Sequence, residues 1–280
     1  MERKDNWRAW IPRNEMPILS LVNKGINMSR AVVWFSCGAA SAIAAKLSVK
    51  KYGDDCDVVY CDTGGEHHSN KKFLKDVEKW IGKDVTILKN KDYDSHFDVF
   101  EDKKFFVKVG FAYCTIELKK KLRLEYQRPD DIHILGYTLE EKKRVERFNN
   151  NNPEIYTDWI LIDNEVTKED CLGILWRLGI ELPKMYELGY NHNNCIGCVK
   201  GGIGYWNKIK KDFPKEFNRM ASIEKDVGNS ILKHRSGEDE GKPLFLDDLK
   251  DNMGRYKDEP PISCSISCGM IAEGLDDESS

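Results

Sequence analysis

Apolar positions along the chain fall into two alternating rhythms. Ala31-Val32-Val33-Trp34-Phe35 is an unbroken apolar run that ends in small residues at Ser36. Such a run predicts a strand covered on both faces. Residues 39–51 are strong helix formers with an apolar face, so a helix follows. The same pair recurs. Strands are predicted over 57–60, 84–88 and 131–135, and amphipathic helices over 70–81, 116–127 and 139–148. Strands alternating with helices imply βαβ units, hence an α/β fold with a mainly parallel sheet and flanking helices.

Asn149-Asn150-Asn151-Asn152-Pro153 breaks the rhythm and marks the end of this core. The expected organisation is an N-terminal extension over 1–28, a core over 29–150, and a helical C-terminal part over 151–280. Within that last part, Trp159–Ile162 reads as a strand. Residues 167–178 read as a helix with Thr167 as N-cap and Asp170 three residues on. Residues 205–227 read as helical with an interruption at Pro214, 236–241 as an acidic loop, and 276–280 as a frayed end.

Composition changes this picture only at the margins. Hydrophobic residues at 40% and charged residues at 32% describe a globular chain. A net charge of -3 argues against a general electrostatic hold on nucleic acid. No run approaches the roughly 18 apolar residues of a membrane helix, and residues 1–30 lack a leader's apolar stretch. The reading is a cytoplasmic protein. Its nine cysteines are then not a disulfide framework. Cys56, Cys61 and Cys171 sit in apolar runs, as buried filler does. Cys195 with Cys198, and Cys264 with Cys268, are paired at short spacing in loop-like sequence.

The first strand ends on Ser36-Cys37-Gly38-Ala39-Ala40-Ser41, directly before a helix. Backbone N–H groups of such a loop, with the helix N-terminus, make an anion site. Gly38, Ala39 and Ala40 keep side chains out of the way, while Ser36 and Ser41 add hydroxyls. Small residues also occur where a helix packs tightly on a sheet, so both readings stand on spacing alone. No Gly-Lys-Ser/Thr follows, so the loop is not a Walker A motif.

This strand-Ser-x-Gly-x-x-Ser-helix segment resembles the PP-loop of N-type ATP pyrophosphatases and sulfonucleotide (PAPS/APS) reductases. The usual form of that loop is Ser-Gly-Gly-x-Asp-Ser, and the chain departs from it at Cys37 and Ala40. The superfamily's Asp handles metal and pyrophosphate during adenylation. Its loss bears on ATP splitting more than on sulfonucleotide binding. Asp62-Thr63-Gly64, at the end of the second strand, is similar to the family's Asp-Thr-Gly turn. Gly136-Tyr137-Thr138-x-x-Glu141-x-x-Arg144 resembles a reductase segment that contacts nucleotide. Arg144 would serve a phosphate or sulfate, or pair with Glu141 on the helix surface. Lys119, in the run Lys119-Lys120-Lys121, is a candidate to face the anion. Glu66-His67-His68 reads as an ordinary polar loop.

Downstream the likeness is denser. Trp159-Ile160-Leu161-Ile162-Asp163, Thr167-x-x-Asp170, Leu182-Pro183-x-Met185-Tyr186-Glu187-x-Gly189-Tyr190 and Cys195-Ile196-Gly197-Cys198 follow the order of the reductase series. Gly201-Gly202-x-Gly204-Tyr205-Trp206 resembles phage-encoded members. The resemblance spans 31–228. It implies an adenine nucleotide alpha hydrolase-like fold, an oxidoreductase binding PAPS, APS or ATP, a thiol electron donor such as thioredoxin, and the host cytoplasm if the source is viral.

A Cys-x-x-Cys knuckle puts two thiolates within reach of one metal. In APS reductases a Cys-Cys pair about eighty residues upstream completes a 4Fe–4S site. Here Cys114 stands at that distance from Cys195, and its neighbours are Tyr113 and Thr115. Four of Cys114, Cys195, Cys198, Cys264 and Cys268 are expected to hold a 4Fe–4S cluster, or a zinc ion, or to act as redox thiols. Cys268-Gly269-Met270 partly matches the reductases' C-terminal Cys-Gly-(Leu/Ile)-His, whose thiolate attacks sulfur, so Cys268 is the catalytic candidate. Three functions follow: a PAPS reductase-like enzyme, an ATP-dependent sulfur-inserting enzyme acting on nucleic acid, or a non-catalytic nucleotide binder.

Overall fold

The computed structural model describes residues 29–108, 111–260, 262 and 264. Strand β1 (Ala31–Trp34) leads through the serine loop into helix α1 (Ala39–Tyr52). Then come β2 (Cys56–Asp62), α2 (Asn70–Ile81), β3 (Val85–Lys89) and α3 (His96–Lys103). A short hairpin, β4 (Val107–Lys108) and β5 (Phe111–Ala112), precedes a helical stretch, α4, over 113–126. Strand β6 (Ile132–Ile134), α5 (Lys142–Asn151), β7 (Thr157–Asp158), the single turn α6 (Ile160–Asp163) and α7 (Lys168–Arg177) follow. The chain continues through α8 (Lys184–Glu187), α9 (Ile203–Asp212) and α10 (Pro214–Val227).

The sheet order is β3-β2-β1-β6-β7, and β1 pairs in parallel with β2 and β6, as β6 does with β7. All four residues of β1 are buried, as its unbroken apolar run requires at the centre of a doubly covered sheet. Helix α1 brings Ala42, Ala44 and Ala45, all fully buried, into the same core. Methyl side chains allow a helix to pack closely. Edge strand β3 exposes Thr86, Ile87 and Lys89.

An arginine fastens three neighbouring strands at the sheet's N-terminal edge. Arg30 donates Nε and Nη2 to the two oxygens of Asp131, at 2.9 and 2.7 Å, and Nη1 to Asp57 at 2.9 Å. The Arg128 backbone N–H also donates to Asp131. Burial works to raise the Asp131 pKa, but these donors outweigh it and hold the carboxyl below its usual value. Asp131→Ala is expected to cost about 3 kcal/mol near neutral pH, because it removes the buried carboxylate that accepts two donors of the partly buried Arg30 guanidinium. A depressed carboxylate stabilises above its unfolded pKa of about 4. The deficit should therefore shrink as pH falls below that value, as denaturant melts of the two proteins at several pH values would read.

Three expectations need revision. Trp159–Ile162 is not a strand. β7 ends at Asp158, whose carboxylate accepts from Lys51 Nζ and the Tyr52 hydroxyl at 2.8 and 2.7 Å. The chain then turns at Trp159 into α6, with the indole stacked on Tyr137. A short apolar run does not by itself separate strand from buried helix. Helix α5 runs through Asn151, and Asn152 closes it by donating its N–H and Nδ2 to the Phe148 carbonyl. Helix α3 was not anticipated, although Ser95 and Asp98 form a capping box at its start.

The chain divides into two compact units that interleave in sequence. One comprises the chain to Tyr60, Ser69–Ile87 and Gln127–Pro183. The other comprises Cys61–His68, Leu88–Tyr126 and the chain from Lys184. The division differs from a boundary near 150, because 151–183 adds Ile160, Leu161, Leu175 and their neighbours to the α/β core. The second unit has its own core, including Phe100, Met185, Tyr205 and Trp206.

Candidate functional site

In the first unit the serine loop folds around one hydroxyl. The N–H groups of Ser36 and Gly38 both donate to Ser41 Oγ, at 3.1 and 3.3 Å, and Ser36 Oγ lies 3.2 Å from it. Ser41 Oγ in turn donates to the Gly38 carbonyl at 2.9 Å. The two amides and the Ser36 hydroxyl thus all turn to the Ser41 oxygen, so the loop is wound around one point. Cys37 produces this concavity. Its φ of 53° is left-handed, an uncommon state for a residue with a Cβ. Helix α1 has no acidic residue in its first turn, so the positive end of its dipole is uncompensated at the loop.

Gly136 closes the back of this loop. A Cβ there would lie 2.7 Å from Ser41 N and 2.8 Å from Ser41 Cα. Two residues on, Thr138 and Glu141 form a capping box. Arg144 donates to Glu141 at 2.9 Å and lies 4.3 Å above the Tyr137 ring. The surface pairing with Glu141 thus exists, and the ring fixes the guanidinium's orientation as well.

The remaining predicted residues lie in the second unit. Asp62 Oδ1 accepts from the Gly64 N–H at 2.9 Å. Gly64 has φ 62°, and a Cβ there would meet the Asp94 carbonyl at 1.6 Å, so only glycine fits. Thr63 is buried, with its hydroxyl 3.1 Å from Cys195 Sγ. The Asp-Thr-Gly turn and the knuckle are therefore in contact. Lys119 stands in a π-helical turn of α4, with Nζ 3.7 Å from Cys264 Sγ. Burial works to lower its pKa, but the nearby Cys264 thiol and Glu66 carboxylate leave it raised.

Cys195 and Cys198 are buried, and Cys114 and Cys264 are partly so. Burial raises the thiol pKa of Cys114, Cys195 and Cys198, and Cys264 raises each further. Cys198 is pushed up to about 12. Among the described residues, no three Cys, His, Asp or Glu side chains converge to hold a metal ion. Cysteine thiols are ligands suited to a thiolate-loving metal, and Lys119 approaches the thiol of Cys264. Cys268 lies outside the described residues. Cys56, Cys61 and Cys171 are buried, as filler should be.

Tyr205 is the residue that motif reading missed. Its buried hydroxyl accepts the N–H groups of Gly197 and Cys198, at 3.1 and 3.0 Å, and donates to the Cys195 carbonyl at 3.2 Å. It braces the knuckle from inside. Gly201 makes room, since a Cβ there would stand 2.0 Å from the Tyr205 ring. Gly201-x-x-x-Tyr205 was the available signal. Tyr205→Phe leaves buried amides unpaired and is expected to cost about 1–3 kcal/mol. Thermal melts would show this, with faster thiol alkylation at Cys195 and Cys198.

No protein-family model matches the chain. It is 26% identical over 213 residues to the uncharacterized protein MJ0066 of Methanocaldococcus jannaschii, covering 74% of this chain and 43% of that one. It is also 21% identical to MJ0973 of the same organism, covering 90% of this chain and 59% of that one. The chain thus spans about half the length of these two relatives. The uncharacterized nin region protein ORF290 of Escherichia phage lambda is 25% identical, covering 88% and 96% of the two chains. Two solved structures are similar. PAPS reductase from Candida auris in a phosphate complex has TM-score 0.43 and 10% identity, covering 63% of this chain and 85% of that one. The U34-tRNA thiolase NcsA from Methanococcus maripaludis, with its 4Fe–4S cluster, has TM-score 0.41 and 13% identity, covering 78% and 80%. By its own sheet order the chain has the parallel α/β fold with flanking helices that its sequence predicts, and by sequence it is similar to a phage nin-region protein.

Proposed function

We propose that the chain is an adenine-nucleotide-utilising enzyme whose reaction is thiol attack on a sulfonucleotide, as in PAPS reductases. The observation that carries this is the loop, whose Ser36 and Gly38 amides turn to one centre at the dipole end of α1. Those amides and the Ser41 hydroxyl hold phosphate oxygens, and Gly136 keeps the helix start close to the sheet. Arg144, oriented by Tyr137, supplies a bidentate donor for a second anionic group. The absence of an acidic residue from the first turn of α1 favours binding an intact sulfonucleotide over splitting ATP with a metal held there.

The chemistry is assigned to Cys268. Its thiolate forms an S–S bond to the sulfate sulfur as the S–O bond to phosphate breaks, and the nucleotide leaves with the electron pair. An external dithiol such as thioredoxin then attacks the cysteine sulfur, releasing sulfite, and becomes a disulfide. Cys114, Cys195 and Cys198, with one thiol of the C-terminal segment, would hold a metal, a 4Fe–4S cluster in the first instance and zinc in the second. When bound, such a cluster would supply redox capacity beside the thiols.

The test is product analysis with the full chain, given PAPS or APS plus a thiol donor, and separately ATP. Sulfite release that disappears in Cys268→Ser supports the reading. Pyrophosphate from ATP, stimulated by RNA or DNA and without sulfite, replaces it with sulfur insertion.

A further inference from the structure

Residues 250–259 run back along α9 as a strap, and none of them is buried. Hydrogen bonds and backbone fit hold this strap in place of an apolar core. Near the middle of α9, Asn207 donates Nδ2 to the Lys250 carbonyl at 3.0 Å and to the Met253 carbonyl. Lys210 Nζ reaches the Leu249 carbonyl, just before the strap, at 3.0 Å. At the start of the helix, Gly204 lets the strap backbone in. A Cβ there would stand 2.4 Å from the Arg255 carbonyl carbon and 2.7 Å from Tyr256 N. Gly254 makes the turn with a φ of 64°, and its own Cβ would stand 2.8 Å from Gly204 N.

The strap ends on a carboxylate at the helix N-terminus. Glu259 Oε1 accepts the Gly204 N–H at 2.7 Å, and Oε2 accepts from Arg235 Nη2 at 3.2 Å. The N-cap residue Gly202 has no side chain to satisfy these amides, and a Cβ on it would meet Glu259 Oε2 at 2.1 Å. The Glu259 carboxylate therefore takes the cap's place, with the sign that suits the helix dipole. The strap also reaches both flanks of the knuckle. Gly202 and Gly204 lie downstream of Cys198. Upstream of Cys195, the Asn191 N–H donates to the Tyr256 hydroxyl at 2.7 Å. The Tyr256 ring lies 6.4 Å from that of Tyr205, whose hydroxyl holds the backbone of Cys195, Gly197 and Cys198.

We propose that residues 250–259 are a releasable strap, latched by Glu259, that sets how accessible the Cys195 and Cys198 thiols are. Seated, the strap holds the chain on both sides of the knuckle and backs Tyr205. Released, Asn191 and the start of α9 lose their partners, and the knuckle opens to solutes. A segment held by exposed hydrogen bonds opens at a lower free energy than a core does. Strap opening, and not global unfolding, then limits the reaction of these thiols. The device stands apart from the identity of whatever the thiols bind.

The test uses the full chain after treatment with a chelator. Iodoacetamide alkylation of Cys195 and Cys198 is read by peptide mass spectrometry, and amide exchange is followed over the strap, the knuckle and α1. Gly204→Ala sets a methyl group against the strap's backbone while improving the helix propensity of α9. It expels the strap without weakening the helix. Exchange over 250–259 and alkylation of both thiols should rise by about tenfold or more, with α1 exchange unchanged. Glu259→Ala should act in the same direction, by about five- to tenfold. Glu259→Gln, which keeps an acceptor for the Gly204 N–H, should fall between Glu259→Ala and the wild type. Lost strap protection with unchanged alkylation overturns the proposal. So does a strap whose exchange neither Gly204→Ala nor Glu259→Ala alters. Equally faster exchange in α1 would trace the thiol reactivity to global unfolding and overturn it as well.

Discussion

Gly136→Ala is expected to weaken adenine-nucleotide binding by at least about a hundredfold, close to 2.7 kcal/mol, and to lower stability by about 1–3 kcal/mol. The methyl group would stand 2.7 Å from Ser41 N, 2.8 Å from Ser41 Cα and 3.1 Å from the Ala40 carbonyl carbon. All three are backbone atoms of the first turn of α1, so no side-chain rotation relieves the clash and the helix start must withdraw from β6. That displaces Ser41, and with it the point at which the Ser36 and Gly38 amides converge. Gly173→Ala is the matched control. It lies inside α7, and its Cβ would come no nearer than 3.7 Å to the mobile end of Arg177. That variant should keep full affinity and gain up to about 1 kcal/mol of helix stability. Calorimetric titration with ATP, ADP and a sulfonucleotide reads the first effect, and thermal melts the second.

On the proposed reading that the knuckle holds a metal, Cys198→Ser is expected to leave less than about a tenth of the wild-type metal, as measured by elemental analysis, because that reading makes its thiolate a ligand. Cys171→Ala, whose thiol is buried in the α/β core, should keep all of it. The two outcomes separate ligation from packing. The knuckle's shape does not depend on the metal alone, since the Tyr205 hydroxyl holds three of its backbone groups. Cys198→Ser should therefore retain most of its secondary structure by circular dichroism. Full metal retention in Cys198→Ser would remove the knuckle from the site.

The sheet was legible because a strand buried on both faces leaves a continuous apolar run, and β1 and β2 have one. Helix α7 was legible from Thr167 and Asp170, which do form the capping box. β7 was misplaced because two residues carry no periodicity, and the apolar run beside it is one helical turn that packs on Tyr137. Helix α3 escaped notice because its Ser95–Asp98 box precedes a segment rich in charge.

The site divides in the same way. The tight loop at Ser36, Gly38 and Ser41 was readable as a small-residue turn before a helix, while its hydrogen bonding around Ser41 Oγ was not. Gly136 was readable as a motif member, but its reason, contact with Ser41 across the sheet edge, is tertiary. Tyr205 acts through backbone groups seven to ten residues before it in the chain. Nothing in a tyrosine announces such partners. The interleaving of the two units also lies beyond sequence rhythm, since Cys61–His68 and Leu88–Tyr126 join the C-terminal segment by packing alone.

The most direct test of sulfonucleotide chemistry is to trap the covalent intermediate. The full chain is incubated anaerobically with PAPS or APS and no thiol donor, then digested and weighed by mass spectrometry. The account predicts one sulfo group on the peptide that contains Cys268, stoichiometric release of the desulfated nucleotide, and loss of both in Gly136→Ala. Nucleotide consumed with Cys268 unmodified, or no turnover of any sulfonucleotide by a metal-loaded chain, would contradict it.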